Sequence, residues 1–241
     1  MNELNSLETE TGTRFVRARQ LFEWRRYREA LQELEQILRL EPDNPDAMAM
    51  IANAYQLQSE FDKALHWTDM ALRCDPDHLL AWYIRVCVFY ETDRNKEFDE
   101  AVEYALRIDP EEAQYYFLKA NRENRRGRFR EARALMDEAL RLQPENPLYL
   151  AMAAYTEALM GRFAESEELE RRARPLSAEH PHALLYLSWA ARTRGNFDRQ
   201  EDYMRSAVRL NPEDKQFRDE YLEALQHANR LYRMFLWPVN Q

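Results

Sequence analysis

Along most of the chain, apolar residues return every three or four positions, the step at which side chains share one face of an α-helix. The segment from Tyr27 to Arg39 shows the pattern plainly. Tyr27, Ala30, Leu31, Leu34, Ile37 and Leu38 are apolar, and the residues between them are charged or amide-bearing. This predicts an amphipathic helix of about 13 residues with one face turned to a core. Pro42 follows within a turn, and proline cannot continue a helical hydrogen-bond ladder. The same unit then recurs. Pro42, Pro76, Pro110 and Pro144 are each 34 residues apart, and Pro212 falls on the same series. Ala71, Ala105, Ala139, Ala173 and Ala207 form a second column, with Ile37 in the first unit. Tyr27, Phe61, Phe129, Phe163 and Phe197 form a third, and Gly127, Gly161 and Gly195 a fourth, preceded by Arg25 and Ser59. A fifth holds Ala30, Ala64 and Ala132, then Ser166 and Gln200. Each unit reads as helix, tight turn, helix, loop. Glycine suits the turn because it enters the left-handed region at little cost. The small columns let helices approach closely, and one such hairpin cannot bury its apolar face alone, so the units must stack.

The glycine–aromatic turn with its alanine and proline columns, as in Gly127, Phe129, Ala132, Ala139 and Pro144, resembles the tetratricopeptide repeat (TPR) family. The resemblance implies an all-α fold, a right-handed superhelix of antiparallel helix pairs. Six units are expected at about 11–44, 45–78, 79–112, 113–146, 147–180 and 181–212. Residues 1–10 read as an N-terminal tail, and 213–241 as a capping helix from Asp214 to about Arg233 plus an aromatic tail. Departures from the pattern carry further expectations. Arg14, Arg17 and Arg25 replace the family's usual aromatic, leucine and glycine in the first unit, as befits a terminal repeat. In the third, the turn aromatic is read as Phe98, three residues late, which predicts a longer turn and a shorter second helix. In the fifth, Ala178 replaces the proline, and Pro175 is expected to end the second helix early.

Composition narrows the functional classes. The chain has 241 residues and 45% hydrophobic content, enough for a real core, and only four glycines, the fourth being Gly12. An all-β fold needs many more turn glycines, and a phosphate-cradling loop needs glycines close together. Cys74 and Cys87 supply neither a disulfide framework nor a four-thiolate zinc site. The acidic stretch Met1–Glu8 has no basic region followed by an apolar run, so it does not read as a secretory signal. No uninterrupted apolar stretch is long enough to span a bilayer. The expectation is a cytoplasmic protein in a reducing compartment, peripheral to a membrane at most. The aromatic end, with Tyr232, Phe235, Leu236 and Trp237 beside Arg230 and Arg233, reads as a buried cap, a docking segment, or the edge of a longer chain.

Candidate chemistry is sparse. His180 and His182 flank Pro181 at the spacing of two metal ligands, but no third ligand is set by sequence, and a loop role is the simpler reading. The run Asp93 to Asp99 looks faintly like a calcium loop, but Phe98 stands where such a loop demands glycine. No serine or cysteine has a histidine at a nucleophile's spacing. No enzyme activity, cofactor or metal is expected.

In TPR arrays the first helices line a concave groove. Carried over, this implies a partner-binding face with Asn53 and Gln56 in the second repeat, Tyr83 and Tyr90 in the third, Phe117, Asn121 and Asn124 in the fourth, Tyr155 in the fifth, and Trp189 and Arg192 in the sixth. Ala49, Cys87, Ala151, Ala158 and Leu185 complete these columns. Asparagine amides can both donate to and accept from an extended main chain, and large aromatic rings give contact area at little entropic cost. The alternative is that these rings only pack against one another. The lysine-rich clamp that some TPR proteins use on chaperone tails is not matched, because Ala49 and Phe117 stand in its lysine places.

Charge is arranged by edge. Turns within repeats are basic, with Arg25, Arg26 and Arg28, then Arg125, Arg126 and Arg128, then Arg162, Arg192 and Arg194. Loops between repeats are acidic. Complementing the helix dipoles explains this arrangement, and an arginine edge facing an anionic partner is the functional version. The leading expectation is therefore a protein-interaction scaffold or adaptor with a peptide or helical segment of a partner in its groove. Three others follow: an RNA-binding repeat protein, which the net charge of −9 disfavours; a membrane-tethered module; and a homo-oligomer formed through the aromatic tail.

Overall fold

The structure is a computed structural model that describes residues 2–229, with side chains from Thr9 onward. The described residues are helical throughout, without strands. They form two compact units, Met1–Pro110 and Glu111–Gln241. The first contains α1 (Asn2–Glu23), α2 (Tyr27–Leu40), α3 (Pro45–Leu57), α4 (Phe61–Cys74), α5 (Leu79–Glu91) and α6 (Asn95–Ile108). The second contains α7 (Ala113–Arg125), α8 (Phe129–Leu142), α9 (Pro147–Leu159), α10 (Phe163–Leu176), α11 (Pro181–Thr193), α12 (Phe197–Leu210) and α13 (Lys215–Ala228). Odd-numbered helices are the first of each pair and even-numbered helices the second.

Every boundary from α2 to α12 keeps the 34-residue phase, and two columns of backbone chemistry enforce it. One sets the turns within pairs. Arg25, Ser59, Asp93, Gly127, Gly161 and Gly195 all have positive φ, between 52° and 75°. A left-handed residue at this place ends the first helix and reverses the chain. The other sets the starts of the first helices. Asn44, His78, Glu112, Asn146, His180 and Asp214 each accept a backbone N–H of the following turn on a side-chain atom. Such a cap satisfies an otherwise orphaned donor, worth about 0.5–2 kcal/mol.

The left-handed column corrects the reading of the third repeat. Its turn is as tight as the others, with Asp93 at φ 52°, and α6 has the common 14 residues. Asparagine and aspartate tolerate this conformation better than most side chains, so the turn is in register without an aromatic after it. Phe98 is not a displaced turn residue. It stands in the column of Ala30, Ala64 and Ala132, fully buried, and three residues later Ala101 stands where Trp67, Leu135 and Leu169 stand in other repeats. This exchange of sizes leaves a cleft of about 490 Å³ whose lining includes Ala101, Trp82, Arg85 and Tyr104.

Three other boundaries differ from expectation. Pro175 does not shorten α10, which keeps 14 residues. In the other second helices the C-cap N–H reaches the carbonyl of the column alanine or Ile37. In α10 the carbonyl of Ala173 is taken instead by the Ser177 hydroxyl at 2.8 Å, so the hydroxyl does the work of the displaced amide. Residues 2–10 are the start of α1 rather than a tail. At the other end α13 stops at Ala228, short of Arg233, because Asn229 is extended (φ −73°, ψ 112°). The remaining tail lies outside the described residues.

Each pair closes on large, fully buried side chains between alanine columns. In the first unit, Leu34, Ile37 and Ile51 gather with Ala18 and Ala47, and Phe15, Phe22 and Trp67 pack against them. Each such aliphatic residue contributes about 1.5–3 kcal/mol by burial. Small residues at Ala47, Ala71 and Ala81 keep helix axes close, so the large ones interlock rather than face water.

Candidate functional site

The groove columns lie on α3, α5, α7, α9, α11 and α13, and the 34-residue phase puts Asn53, Cys87, Asn121, Tyr155, Trp189 and Glu223 at equivalent positions. The two units differ in what these positions do.

In the first unit, Asn53 is half-buried, with no side-chain hydrogen bond found among the described residues. Gln56 donates to Glu91 at 2.8 Å, joining α3 to the end of α5. The Tyr90 ring lies 5.8 Å from that of Phe98. Cys87 is buried and Cys74 exposed, and both are free thiols.

In the second unit the aromatics meet. Tyr186, at the centre, lies edge-on to Phe117 at 6.1 Å and to Trp189 at 5.2 Å, and tilted to Tyr155 at 6.3 Å. Tyr155 in turn lies 5.5 Å from Trp189. Phe117 stacks on Tyr149 at 5.4 Å on its other side. Five rings from α7, α9 and α11 thus form one band, and three of its five contacts are the stacked or edge-on arrangements that aromatic quadrupoles favour. Polar groups stitch the band. Asn121 donates its amide to the Tyr186 hydroxyl, and Asn124 donates to Thr156 Oγ1 at 2.8 Å. The Tyr149 hydroxyl donates to Gln114 at 3.2 Å, and burial pushes its pKa up to about 12. Burial also raises that of Tyr155. Among the described residues the buried indole N–H of Trp189 meets no hydrogen-bond acceptor, an arrangement that costs about 1–3 kcal/mol.

The band ends against charge. Arg192 donates to Glu223 of α13 at 2.8 Å. Asp219 and Glu220 lie beside Glu223 along a shallow depression that Lys215 and Gln216 complete. These columns of the second unit therefore run from rings to carboxylates. Sequence reasoning picked out Phe117, Asn121, Asn124, Tyr155, Trp189 and Arg192, and the structure brings these together. It missed Tyr186, Tyr149 and Glu223. One more 34-residue step from Trp189 points to Glu223. Nothing in the sequence marks Tyr186, one residue beyond the groove column.

The arginine edge is largely occupied. Arg126 and Arg128 both reach Glu123, at 2.8 and 3.3 Å, and the Glu123 side chain is only 9% exposed. Arg26 pairs with Glu29, and Arg162 lies 3.7 Å from Glu157. Arg194 is buried against Glu170, which also accepts from Arg199 at 3.0 Å and from the Tyr203 hydroxyl at 2.7 Å. Arg125 likewise has interactions within the fold, while Arg25 and Arg28 stay exposed. The His180 loop is also accounted for. Its Nδ1 accepts the Ala183 N–H, and the ring of His182 packs on Phe217 at 5.2 Å. Among the described residues no three or more His, Cys, Asp or Glu side chains gather as metal ligands. No described helix is long and apolar enough to cross a membrane.

Family comparison decides the class. Tetratricopeptide-repeat models match residues 21–85, and then 91–147, 117–181 and 160–215 in overlapping frames. The chain belongs to the tetratricopeptide repeat family. A comparison with curated proteins returned no match. Among solved structures, this TPR chain is similar to a chain of the APC/C hetero-tetramer Cut9–Hcn1, with a TM-score of 0.76 and 12% identity over 93% of this chain and 44% of that one. It is also similar to PilF of Pseudomonas aeruginosa, with a TM-score of 0.73 and 17% identity over 90% of this chain and 97% of that one. The type IV pilus biogenesis factor PilW matches with a TM-score of 0.71 and 21% identity over 89% and 98% of the two chains. These likenesses establish the TPR fold. Family membership supports a protein-interaction scaffold.

Proposed function

We propose that the protein is a non-enzymatic adaptor whose second unit holds a segment of a partner protein along the concave faces of α7, α9, α11 and α13. The observation that carries this reading is the ordered change along those helices, from the ring band of Phe117, Tyr155 and Trp189 to the carboxylates of Asp219, Glu220 and Glu223. Rings offer large contact area with little rotamer freedom to lose, the usual composition of a binding hot spot. The acidic end selects a segment that carries lysine or arginine, since a matching charge steers encounter and sets register. The unsatisfied Trp189 N–H favours a partner that brings a carbonyl, once the ring shifts to present it. In the first unit, Asn53 offers an amide to an extended main chain. The free thiols fit a reducing compartment such as the cytoplasm.

Nucleic acid is the weaker partner. Phosphate binding draws on unpaired cations, and six of the nine edge arginines, Arg26, Arg126, Arg128, Arg162, Arg192 and Arg194, already pair with glutamates of the fold.

The test is selection of displayed peptides on the full chain, followed by titration of the selected peptides. Enrichment of peptides that pair aliphatic or aromatic residues with lysine or arginine, weakened about tenfold or more by Trp189→Ala and by Glu223→Lys, is the expected result. Selected peptides that bind both variants as well as the parent would refute the site.

A further inference from the structure

We propose that the cleft over Ala101 is a second docking site, separate from the concave face. It takes a tryptophan- or leucine-sized side chain of a partner protein with a carboxylate beside it. The cleft is the seat that Trp67 fills one repeat earlier. Trp67 packs on the buried clusters that contain Met48 and Ile51, in company with Leu38 and Tyr55. One 34-residue step carries Leu38, Met48, Ile51 and Tyr55 onto Leu72, Trp82, Arg85 and Phe89, and all four line the cleft. The same step carries Trp67 itself onto Ala101. The third repeat thus keeps the walls of the seat and lacks the side chain that fills it. Phe98, the large residue gained in exchange, is fully buried with its ring 5.8 Å from Tyr90, and it does not line this space.

The walls are held in place by the fold itself. The Trp82 and Tyr104 rings stack with centroids 4.4 Å apart. The Trp82 indole N–H donates to the Pro76 carbonyl at 2.8 Å, and the Tyr104 hydroxyl donates to Asp77 at 2.7 Å. Both polar ends are thus tied to the loop between α4 and α5, which leaves ring surface for an apolar occupant. A wall fixed in this way has little freedom left to lose on binding. Charge sets what flanks the occupant. Arg85 pairs with Asp69, Arg94 with Glu97 at 2.8 Å, and Lys96 lies 3.9 Å from Glu100. Arg107 is exposed, with its guanidinium 4.9 Å from the centre of the Tyr104 ring, and among the described residues no carboxylate pairs with it. The unmatched charge on the rim is therefore positive, and a carboxylate next to the inserted side chain complements it. The concave face of the second unit asks for the opposite sign, so the two sites select different segments.

The test is selection of displayed peptides on the full chain carrying Trp189→Ala and Glu223→Lys, so that the concave face does not compete. The selected peptides are then titrated against the parent and its variants. The expected peptides join tryptophan, leucine or phenylalanine to aspartate or glutamate, and they bind the parent and the selection variant equally. Ala101→Leu fills the seat with the residue found at Leu135 and Leu169, and Arg107→Glu reverses the rim charge at an exposed position without touching the core. Each is expected to weaken the peptides about tenfold or more. In the parent, the Trp82 indole N–H resonance is expected to shift as peptide is added. Selected peptides that bind Ala101→Leu or Arg107→Glu as tightly as the parent would overturn the proposal, as would a selection that yields none the parent binds. Binding of N-acetyltryptophanamide as tight as that of the peptides would make the cleft a seat for a free aromatic molecule and overturn the docking of a partner protein.

Discussion

Asn121 donates its side-chain amide to the hydroxyl of Tyr186, 65 residues further along the chain. The bond ties α7 to α11, the first helices of alternate repeats. The asparagine that the repeat pattern offers as a grip on a partner's main chain is already engaged by the protein itself. Its role is to hold Tyr186 at the centre of the ring band. Asn121→Ala is expected to destabilise the chain by about 1–2 kcal/mol, and Tyr186→Phe by a similar amount. A double-mutant cycle read by urea unfolding is expected to show strong coupling between them. Asn53→Ala, by contrast, should stay within about 0.5 kcal/mol of the parent.

A second prediction concerns Glu170, buried on α10 in the column that holds Met136 and Met204. Glu170→Met alone leaves the buried Arg194 guanidinium without its carboxylate, which is expected to cost about 3–5 kcal/mol. Adding Arg194→Met, the residue its column has at Met160, is expected to recover most of that loss. Chemical denaturation of the two variants decides the point, and a double variant no more stable than the single one would show that the network does more than neutralise itself.

The His180 cap makes stability depend on pH. The neutral ring accepts the Ala183 N–H, and burial, with His182 nearby, holds the pKa of His180 below its ordinary 6.5. A base with a lowered folded pKa binds fewer protons folded than unfolded. Its contribution is therefore complete above pH 6.5 and is lost as pH falls through the folded value. His180→Asn, which restores the residue found at Asn44 and Asn146, is expected to keep the cap and to flatten the acid side of the melting profile.

The turn column predicts stabilities of opposite sign. Arg25 holds φ 57° with a side chain that resists it, so Arg25→Gly is expected to raise stability by about 1 kcal/mol. Gly161 has open space around its Cα but φ 74°, so Gly161→Ala is expected to lower stability by a similar amount through backbone strain alone. Thermal melts of both variants check the pair.

The fold was legible because its determinants are periodic. Prolines, alanines and turn glycines repeat at one spacing, and the structure keeps that spacing even where the residue types change. Where the types mislead, the cause is physical. Phe98 looks like a late turn aromatic because aromatics usually follow the turn, yet it is the left-handed residue, here Asp93, that reverses the chain. Pro175 looks like a helix stop, yet it sits in the last turn, where the Ser177 hydroxyl takes the Ala173 carbonyl in place of its own displaced amide. The groove residues followed from the period, but their contacts did not. Tyr186 enters the band by reaching across two repeats, a distance at which no local pattern speaks. The arginine edge was legible as charge but only partly as pairing: Glu123 meets Arg126 three residues on, whereas Glu170 and Glu223 become partners of Arg194 and Arg192 only when the helices stack.

The claim that the second unit's concave face holds a partner segment is tested most directly by placing a photo-crosslinking phenylalanine analogue at Tyr155, at Trp189, and at the exposed Glu138 on α8, in the cell that makes the protein. The account predicts one protein partner captured from both Tyr155 and Trp189 and absent from Glu138, joined through a segment carrying lysine or arginine. Capture from Glu138 alone, or different partners from Tyr155 and Trp189, would contradict it.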